Sequence, residues 1–460
     1  MTIEKKYNFC LLKTNNYILR NVMGINFLIP IHWKPSKIPS ILKFDEVAVD
    51  VWNFLDKNIR FFDLLNVISN KYNVDIDNIF DDIFDFISIL IELDALKINN
   101  DVFCREKFVI EDLNQVNSED FLYNIIVDEF DNKFWPASLT WEVTHKCNLK
   151  CIHCYVGDRR ICRKKELDIN EISSLIHQAS NSGCLQIIIT GGEPFFRKDI
   201  LDIILEIKKN GILYSVYTNG TLINEEIVDF FKKNPPIIIE LSIYGATKEA
   251  YESISQVDGS YERFNRGLNL LIESGLNLRL KTVAMKNNFY EIEKMKQISQ
   301  ENNIDFRFDG LITPTIDGLF FPVKARLLPS QIVELEIKNN NLFEDTDSIF
   351  SNKAQKDFYF CGAGKYEANI DPVGKMSLCL VDRYPFYDLM SGSFNSGWKF
   401  VSNLRKKESP KKSKCLKCSL KGFCKICPGW LKIEKQKPSG IIDFLCNVSA
   451  ERFVHFKKEA

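Results

Sequence analysis

No apolar run in this 460-residue chain approaches the roughly 20 residues needed to cross a bilayer. The opening stretch, MTIEKKYNFCLLKTNNY, lacks the uninterrupted apolar centre of a signal peptide. Neither sign of charge prevails: 60 Lys and Arg stand against 61 Asp and Glu, a formal charge of −1. That leaves no bulk electrostatic case for nucleic acid or an anionic membrane as a partner. Hydrophobic residues make up 45% and charged residues 26%, the proportions of a globular protein. We expect a cytoplasmic protein of about two to three domains.

Cysteine, by contrast, is abundant, with 14 residues. With no export signal, a reducing compartment is expected, so disulfides are a poor explanation and thiolates remain available to metal. Three cysteines cluster near residue 150 and seven follow residue 360, while Cys10, Cys104, Cys162 and Cys184 are scattered. Cys184, inside GCLQIIITGG, reads as a buried core thiol.

Residues 1–108 read as a small α+β unit. Two strand-like runs, Tyr17–Arg20 and Ile25–Ile29, precede a turn region in which Pro35 and Pro39 oppose regular structure. Three amphipathic stretches follow, Asp45–Leu55, Phe61–Tyr72 and Ile76–Leu96; in the last, Ile79, Ile83, Phe86, Leu90 and Leu93 recur at helical spacing. Residues 109–136 are acidic and polar and read as a linker breaking at Trp135–Pro136. From Ala137 the pattern is α/β. Strands are expected at Ser138–Val143, Leu185–Thr190, Ile212–Tyr217, Ile237–Ile243, Leu278–Ala284 and Ile304–Phe308. Helices are expected between them at Ile169–Ser180, Asp199–Lys209, Asn224–Lys233, Tyr261–Glu273 and Tyr290–Gln300. Repeated βα units make an open parallel sheet or a partial barrel, and such folds bind ligands at the carboxyl ends of their strands.

The chemistry-bearing residues fall at those ends. After the first strand comes Cys147-Asn-Leu-Lys-Cys151-Ile-His-Cys154. Three thiolates on a four-iron cubane leave one iron without a protein ligand. The spacing alone is open to zinc; its setting, LTWEVTHKCNLKCIHCYVGD, with aromatic Tyr155 after the last cysteine, resembles the radical S-adenosylmethionine superfamily. That resemblance implies a partial (β/α)6 barrel over residues 137–320, and S-adenosylmethionine chelated on the open iron. His145 and His153 are expected to pack or hydrogen-bond around the ligands rather than join them. The second strand ends in Thr190-Gly191-Gly192-Glu193-Pro194, which resembles the superfamily's motif for the amino group of S-adenosylmethionine. Asn219 after the third strand, and Ser242 with Tyr244 after the fourth, resemble further cofactor positions, Ser242 that of the ribose contact. Lys281 or Thr282 and Arg307 are candidates to face the cofactor, with a salt bridge the competing role for Lys281 and Arg307.

The C-terminal cysteines read Cys361-x12-Gly374-x4-Cys379, then Cys415-x2-Cys418-x5-Cys424-x2-Cys427, then Cys446. A zinc ribbon competes, although five residues between the pairs are far fewer than such ribbons use. The array resembles the SPASM extension, here residues 357–460 after a connecting segment at 321–356, which implies two auxiliary 4Fe–4S clusters. By matching positions, Cys415, Cys418, Cys424 and Cys446 hold the distal cluster, and Cys361, Cys379 and Cys427 the proximal one. The pattern departs from the family's fullest form: QKDF stands where some relatives have another cysteine before Cys361, leaving an open iron, Asp357 or a substrate thiolate for the fourth proximal site.

Residues 1–108 resemble the winged-helix-like PqqD domain, which captures a leader peptide by strand addition. Taken together, the order resembles maturases of ribosomally made peptides that form cysteine sulfur-to-carbon thioethers. The partners implied are a precursor peptide and an electron donor such as flavodoxin or ferredoxin. Other SPASM chemistries, carbon–carbon crosslinking or formylglycine formation, and a non-catalytic iron–sulfur redox protein are the alternatives.

Overall fold

Alternation along the strands decides which way each side chain faces. In the middle of the chain Leu139, Trp141, Val143, Ile187, Ile189, Val216, Leu241 and Leu280 join one large core cluster beneath the helices. Most of the intervening positions are polar, among them Glu142, Thr190, Tyr217, Glu240, Ser242, Lys281 and Arg307, with Ile188 an exception. With a period of two, these share the opposite, inner face. A sheet apolar outside and polar inside is suited to curl around a polar ligand.

The computed structural model describes residues 9–33, 41–99, 133–157, 165–339, 361–407, 414–424, 427–436 and 440–459. Cys104, Cys162, Pro35, Pro39 and Asp357 lie outside the described residues, as do 109–132 of the expected linker and 340–356 of the expected connecting segment.

Six parallel strands run in chain order: β6 (Ser138–Thr144), β7 (Gln186–Gly191), β8 (Leu213–Thr218), β9 (Ile239–Ser242), β10 (Leu278–Val283) and β11 (Asp305–Asp309). Each differs from its expected bounds by at most two residues at either end. The helices between them are Ile169–Asn181, Ile200–Lys209, Glu225–Lys233, Ser260–Glu273 and Ile292–Glu301. Asp168 caps the first of these, accepting from the Glu171 amide while the Glu171 side chain accepts from the Asp168 amide. The last begins two residues later than expected, after a short 3-10 turn at Phe289–Glu291. A helix at Lys248–Ser255, not anticipated, is capped by Thr247.

The sheet extends beyond six strands. β12 (Glu367–Ile370) adds in parallel to β6, and β13 (Lys375–Ser377) and β14 (Tyr387–Asp388) continue it antiparallel, giving a nine-stranded sheet. The C-terminal region thus begins as an extension of the barrel wall. Its helices are Phe394–Lys407, Pro428–Lys435 and Asp443–Glu459. The Pro329–Lys338 helix ties to the last of these through Arg452 Nε, 2.8 Å from Glu336.

At the N-terminus, β2 (Tyr17–Val22), β3 (Ile25–Pro30) and β4 (Leu42–Phe44) form a three-stranded antiparallel sheet, and β1 (Cys10–Lys13) pairs with β5 (Leu96–Asn99). Helices span Glu46–Phe54, Phe61–Tyr72 and Ile76–Glu92. The third is shorter than the expected Ile76–Leu96, because Asp94 turns the chain at φ 59° and Leu96 starts β5. Val22, Phe27 and Ile29 bury against Leu185, Leu213 and Ile237, which open strands of the barrel. Arg20, itself buried, donates to the carbonyls of Cys184 and Gly211 at 2.8 Å each and of Ser180 at 2.6 Å. The N-terminal unit is therefore docked on the base of the barrel, at the end opposite the cysteine loop. Among the described residues, no helix is long and apolar enough to cross a membrane.

Candidate iron–sulfur and cofactor site

The loop of Cys147, Cys151 and Cys154 is held by backbone on both sides. The Lys150 and Ile152 amides donate to the carbonyls of Ser255 and Ile254, at the end of the Lys248–Ser255 helix. On the other side, Gly192 N donates to Thr144 O at 2.7 Å and Glu193 N to Lys146 O at 2.8 Å. A Cβ on Gly191 would lie 2.1 Å from Thr144 O, and one on Gly192 2.1 Å from Lys146 O. The glycines are thus required by close approach to the backbone that leads into the cysteine loop.

Glu193 is fully buried at the end of the second strand. Its carboxylate accepts from Thr218 Oγ1 at 2.7 Å, Asn219 N at 2.8 Å and Phe195 N at 3.2 Å, bracing the second strand end to the third. Burial outweighs these donors and pushes its pKa up to about 7. Pro194 opens a single 3-10 turn. Asn219 Nδ2 donates to Asn148 Oδ1 at 3.0 Å and lies 3.7 Å from Cys147 Sγ, and its Oδ1 accepts from Thr221. Both side chains stiffen the site. Ser242 stands half-buried on the inner face, and no hydrogen bond involves its hydroxyl among the described residues.

Sulfur acceptors here meet donors. Leu149 N lies 3.4 Å from Cys147 Sγ, and the Tyr244 hydroxyl bonds to Cys151. Such donors stabilise thiolate and tune a cluster's potential, so the set fits an iron–sulfur centre. His153 packs edge-on against Tyr244 with ring centroids 5.2 Å apart, and burial lowers its pKa to about 4. His145 Nε2 lies 3.5 Å from Glu142. Cys184 is buried, its thiol pushed up to about 12 by burial.

Lys281 and Arg307 both pair with buried Glu240, Lys281 at 3.5 Å and Arg307 at 2.5 Å. Thr282 faces the helix side instead, accepting from Asn288 Nδ2 at 3.3 Å.

The C-terminal thiols fall into two neighbourhoods. Burial pushes Cys379 up to about 12, with the charge of Cys427 adding to it; Cys427 is pushed up to about 11, with Cys361 adding. Cys446 is raised by burial and by Cys424, Cys415 and Cys418. Thiolates that repel one another need a cation between them, and metal binding supplies it by displacing their protons. Asp382 N donates to Cys379 Sγ at 3.2 Å. Cys427 caps the Pro428–Lys435 helix, accepting from Trp430 N at 3.4 Å, so the helix dipole also favours its thiolate. Among the described residues, no three His, Cys, Asp or Glu side chains gather around a single ion position. A cubane differs in placing each thiolate on its own iron.

Sequence reasoning missed Glu142, Arg383 and Asp382. Glu142 is fully buried on the inner face and paired with Arg383 at 2.7 Å. Asp382 is buried and paired with Lys432 at 2.8 Å. No local motif marks them, because their partners lie on distant segments.

Residues 141–297 match the Radical SAM superfamily. The AdoMet-dependent heme synthase of Methanosarcina barkeri is 30% identical over 166 residues, 36% of this chain and 48% of that protein. The chain thus spans about half the length of that relative. The antilisterial bacteriocin subtilosin biosynthesis protein AlbA of Bacillus subtilis is 26% identical over 306 residues, covering 64% of this chain and 67% of AlbA. Among solved structures, Streptococcus suis SuiB bound to precursor peptide SuiA aligns over 95% of this chain and 99% of its own, with a TM-score of 0.58 and 17% identity. The chain carries a radical SAM domain with homology to peptide maturases, on an α/β fold with a partial barrel-like sheet. Radical SAM proteins use a 4Fe–4S cluster and S-adenosylmethionine.

Proposed function

We propose that this protein is a radical S-adenosylmethionine enzyme that modifies a ribosomally made precursor peptide, forming thioether bonds from cysteine sulfur to carbon. The reading rests on one observation above all: ten cysteines sort into one loop at the barrel mouth and two C-terminal neighbourhoods. The similarity to AlbA supports it, because it reaches well beyond the core that the heme synthase shares.

Cys147, Cys151 and Cys154 hold the cofactor-binding cluster. When bound there with S-adenosylmethionine, it supplies hydrogen abstraction from an unactivated carbon. The chain does the rest. The braces at Glu193 and Asn219 fix the strand ends, Gly191, Gly192 and Pro194 shape the turn, and Tyr155 and Ser242 line the cofactor side. Cys361, Cys379 and Cys427 take a proximal auxiliary cluster with one position left for a further ligand. Cys415, Cys418, Cys424 and Cys446 take a distal one, where exposed Cys418 lets an electron donor such as flavodoxin or ferredoxin approach. Residues 1–108 bind the leader, and the outer edge of β4, with no strand paired to it among the described residues, is where a peptide strand adds.

Replacing Cys147, Cys151 and Cys154 together with alanine should abolish 5′-deoxyadenosine formation in anaerobically reconstituted protein while iron and sulfide remain at the C-terminal sites. Undiminished deoxyadenosine would overturn the assignment. Co-expression with a candidate cysteine-rich precursor peptide tests the product. Each thioether removes two hydrogens from the peptide and one thiol from alkylation, whereas a carbon–carbon crosslink leaves every thiol reactive.

A further inference from the structure

Between the cysteine loop at the mouth and the loop of Cys379 lies a buried ionic network built on Glu142 and Arg383, neither of which the mechanism above uses. Glu142, at the upper end of β6, is fully buried. Arg383 grips it with both terminal nitrogens, Nη1 at 2.7 Å from Oε2 and Nη2 at 2.8 Å from Oε1. The Tyr155 hydroxyl donates to Oε1 at 3.1 Å, and Asn369 Nδ2 to Oε2 at 3.3 Å. His145 Nε2 stands 3.5 Å from Oε1. Arg383 Nε donates to the Leu380 carbonyl at 2.8 Å.

The two ends of this chain of contacts are informative. Tyr155 is bonded directly to Cys154, and Leu380 directly to Cys379. A continuous bonded path therefore runs from one loop to the other: Cys154, Tyr155, Glu142, Arg383, Leu380, Cys379. The remaining contacts come from β12 through Asn369 and from the cysteine loop through His145, so both regions converge on one carboxylate. As a source of stability the pair is a poor choice, since packed apolar residues would serve as well without desolvating two ions. What it provides is fixed geometry, through a bidentate fork, and a compensated charge pair between two groups of thiolates. Net charge and hydrogen bonding around a cluster set its reduction potential.

We propose that Glu142 and Arg383 are positioning residues that clamp the loop of Cys154 to the loop of Cys379 and set the local charge felt in common by the clusters on both. The proposal rests on the proximal cluster of the preceding reading.

The test uses full-length protein reconstituted anaerobically, with iron counted per chain and midpoint potentials measured by electron paramagnetic resonance during redox titration. Glu142→Gln removes a negative charge and leaves Arg383 uncompensated, so the potentials of the cofactor-binding and proximal clusters should both shift upward. Arg383→Lys keeps the charge but gives up the fork and the Nε bond to the Leu380 carbonyl, so both potentials should shift less than in Glu142→Gln. Should Glu142→Gln fail to fold, Arg383→Gln replaces it, leaving a carboxylate that either stays charged or takes a proton. It should then lower both potentials or make both newly pH-dependent. With roughly 12 irons per chain, a shift confined to one cluster, or to neither, overturns the clamp alone. About four irons per wild-type chain would overturn the three-cluster reading, and the clamp with it.

Discussion

Lys208 shows how far one burial can move a charge. Only 5% exposed, it sits at the base of the barrel, donating to Asn234 Oδ1 at 3.2 Å, with His32 Nδ1 at 3.5 Å and the Trp33 ring centroid at 5.6 Å. Burial lowers its pKa from 10.5 to about 7. Between those values the unfolded chain holds a proton that the folded chain has released, so stability rises with pH across that window. From about pH 7 to about pH 9 the gain should be about 2 kcal/mol. A thermal unfolding series against Lys208→Met checks it: wild type should gain over that interval and the variant should not. Glu142 illustrates the opposite direction. Burial raises its carboxyl, but Arg383 and His145 together outweigh burial and hold it down to about 2, so its contribution is lost as pH falls from the ordinary carboxylate range through that value. Residues of this kind are invisible in the sequence. The cysteine ligands announce themselves by local spacing, whereas Arg383 reaches Glu142 across 241 positions.

At the scale of elements, the turn of Gly191 and Gly192 is the most exacting. Gly192→Ala would place its Cβ 2.1 Å from Lys146 O and 2.7 Å from His145 O, both backbone atoms that cannot rotate away. The turn must then part from the cysteine loop, losing the bonds from Gly192 N and Glu193 N, at a cost on the order of 2–4 kcal/mol. The expected outcome is loss of about four irons per chain and of S-adenosylmethionine cleavage, with helix content by circular dichroism retained. Iron content equal to wild type would refute it. The six βα units were legible because their outward faces carry apolar residues in alternation and their helices run nine to fourteen residues. β12 and β13 were not, being four and three residues long. β12 is specified by pairing with β6, with Glu367 opposite Ser138, and no local pattern encodes a partner so far along the chain. The Lys248–Ser255 helix escaped for a similar reason: at eight residues it gives barely two turns of periodicity, yet its carbonyls hold the cysteine loop.

For the molecule as a whole, what the sequence left open was where the N-terminal unit sits. Its helices and two of its strands were readable, but docking on the base of the barrel depends on Arg20 finding three carbonyls from segments that meet only in three dimensions. That placement constrains the proposed substrate. A leader held by residues 1–108 begins at one end of the barrel, while the cysteine loop lies at the other. A strand of six residues such as β8 spans about 20 Å, which is the distance between that base and the mouth. A peptide reaching from leader site to mouth therefore needs at least about six extended residues between its bound segment and the residue modified. With a precursor peptide that the enzyme modifies, shortening that spacer stepwise should leave leader affinity unchanged by fluorescence anisotropy. Modification by mass spectrometry should fall away once fewer than about six residues remain. This is effective concentration vanishing when a tether cannot span its two sites, rather than a loss of binding. Modification that persists with the spacer removed entirely would mean that the leader is not held at the base of the barrel.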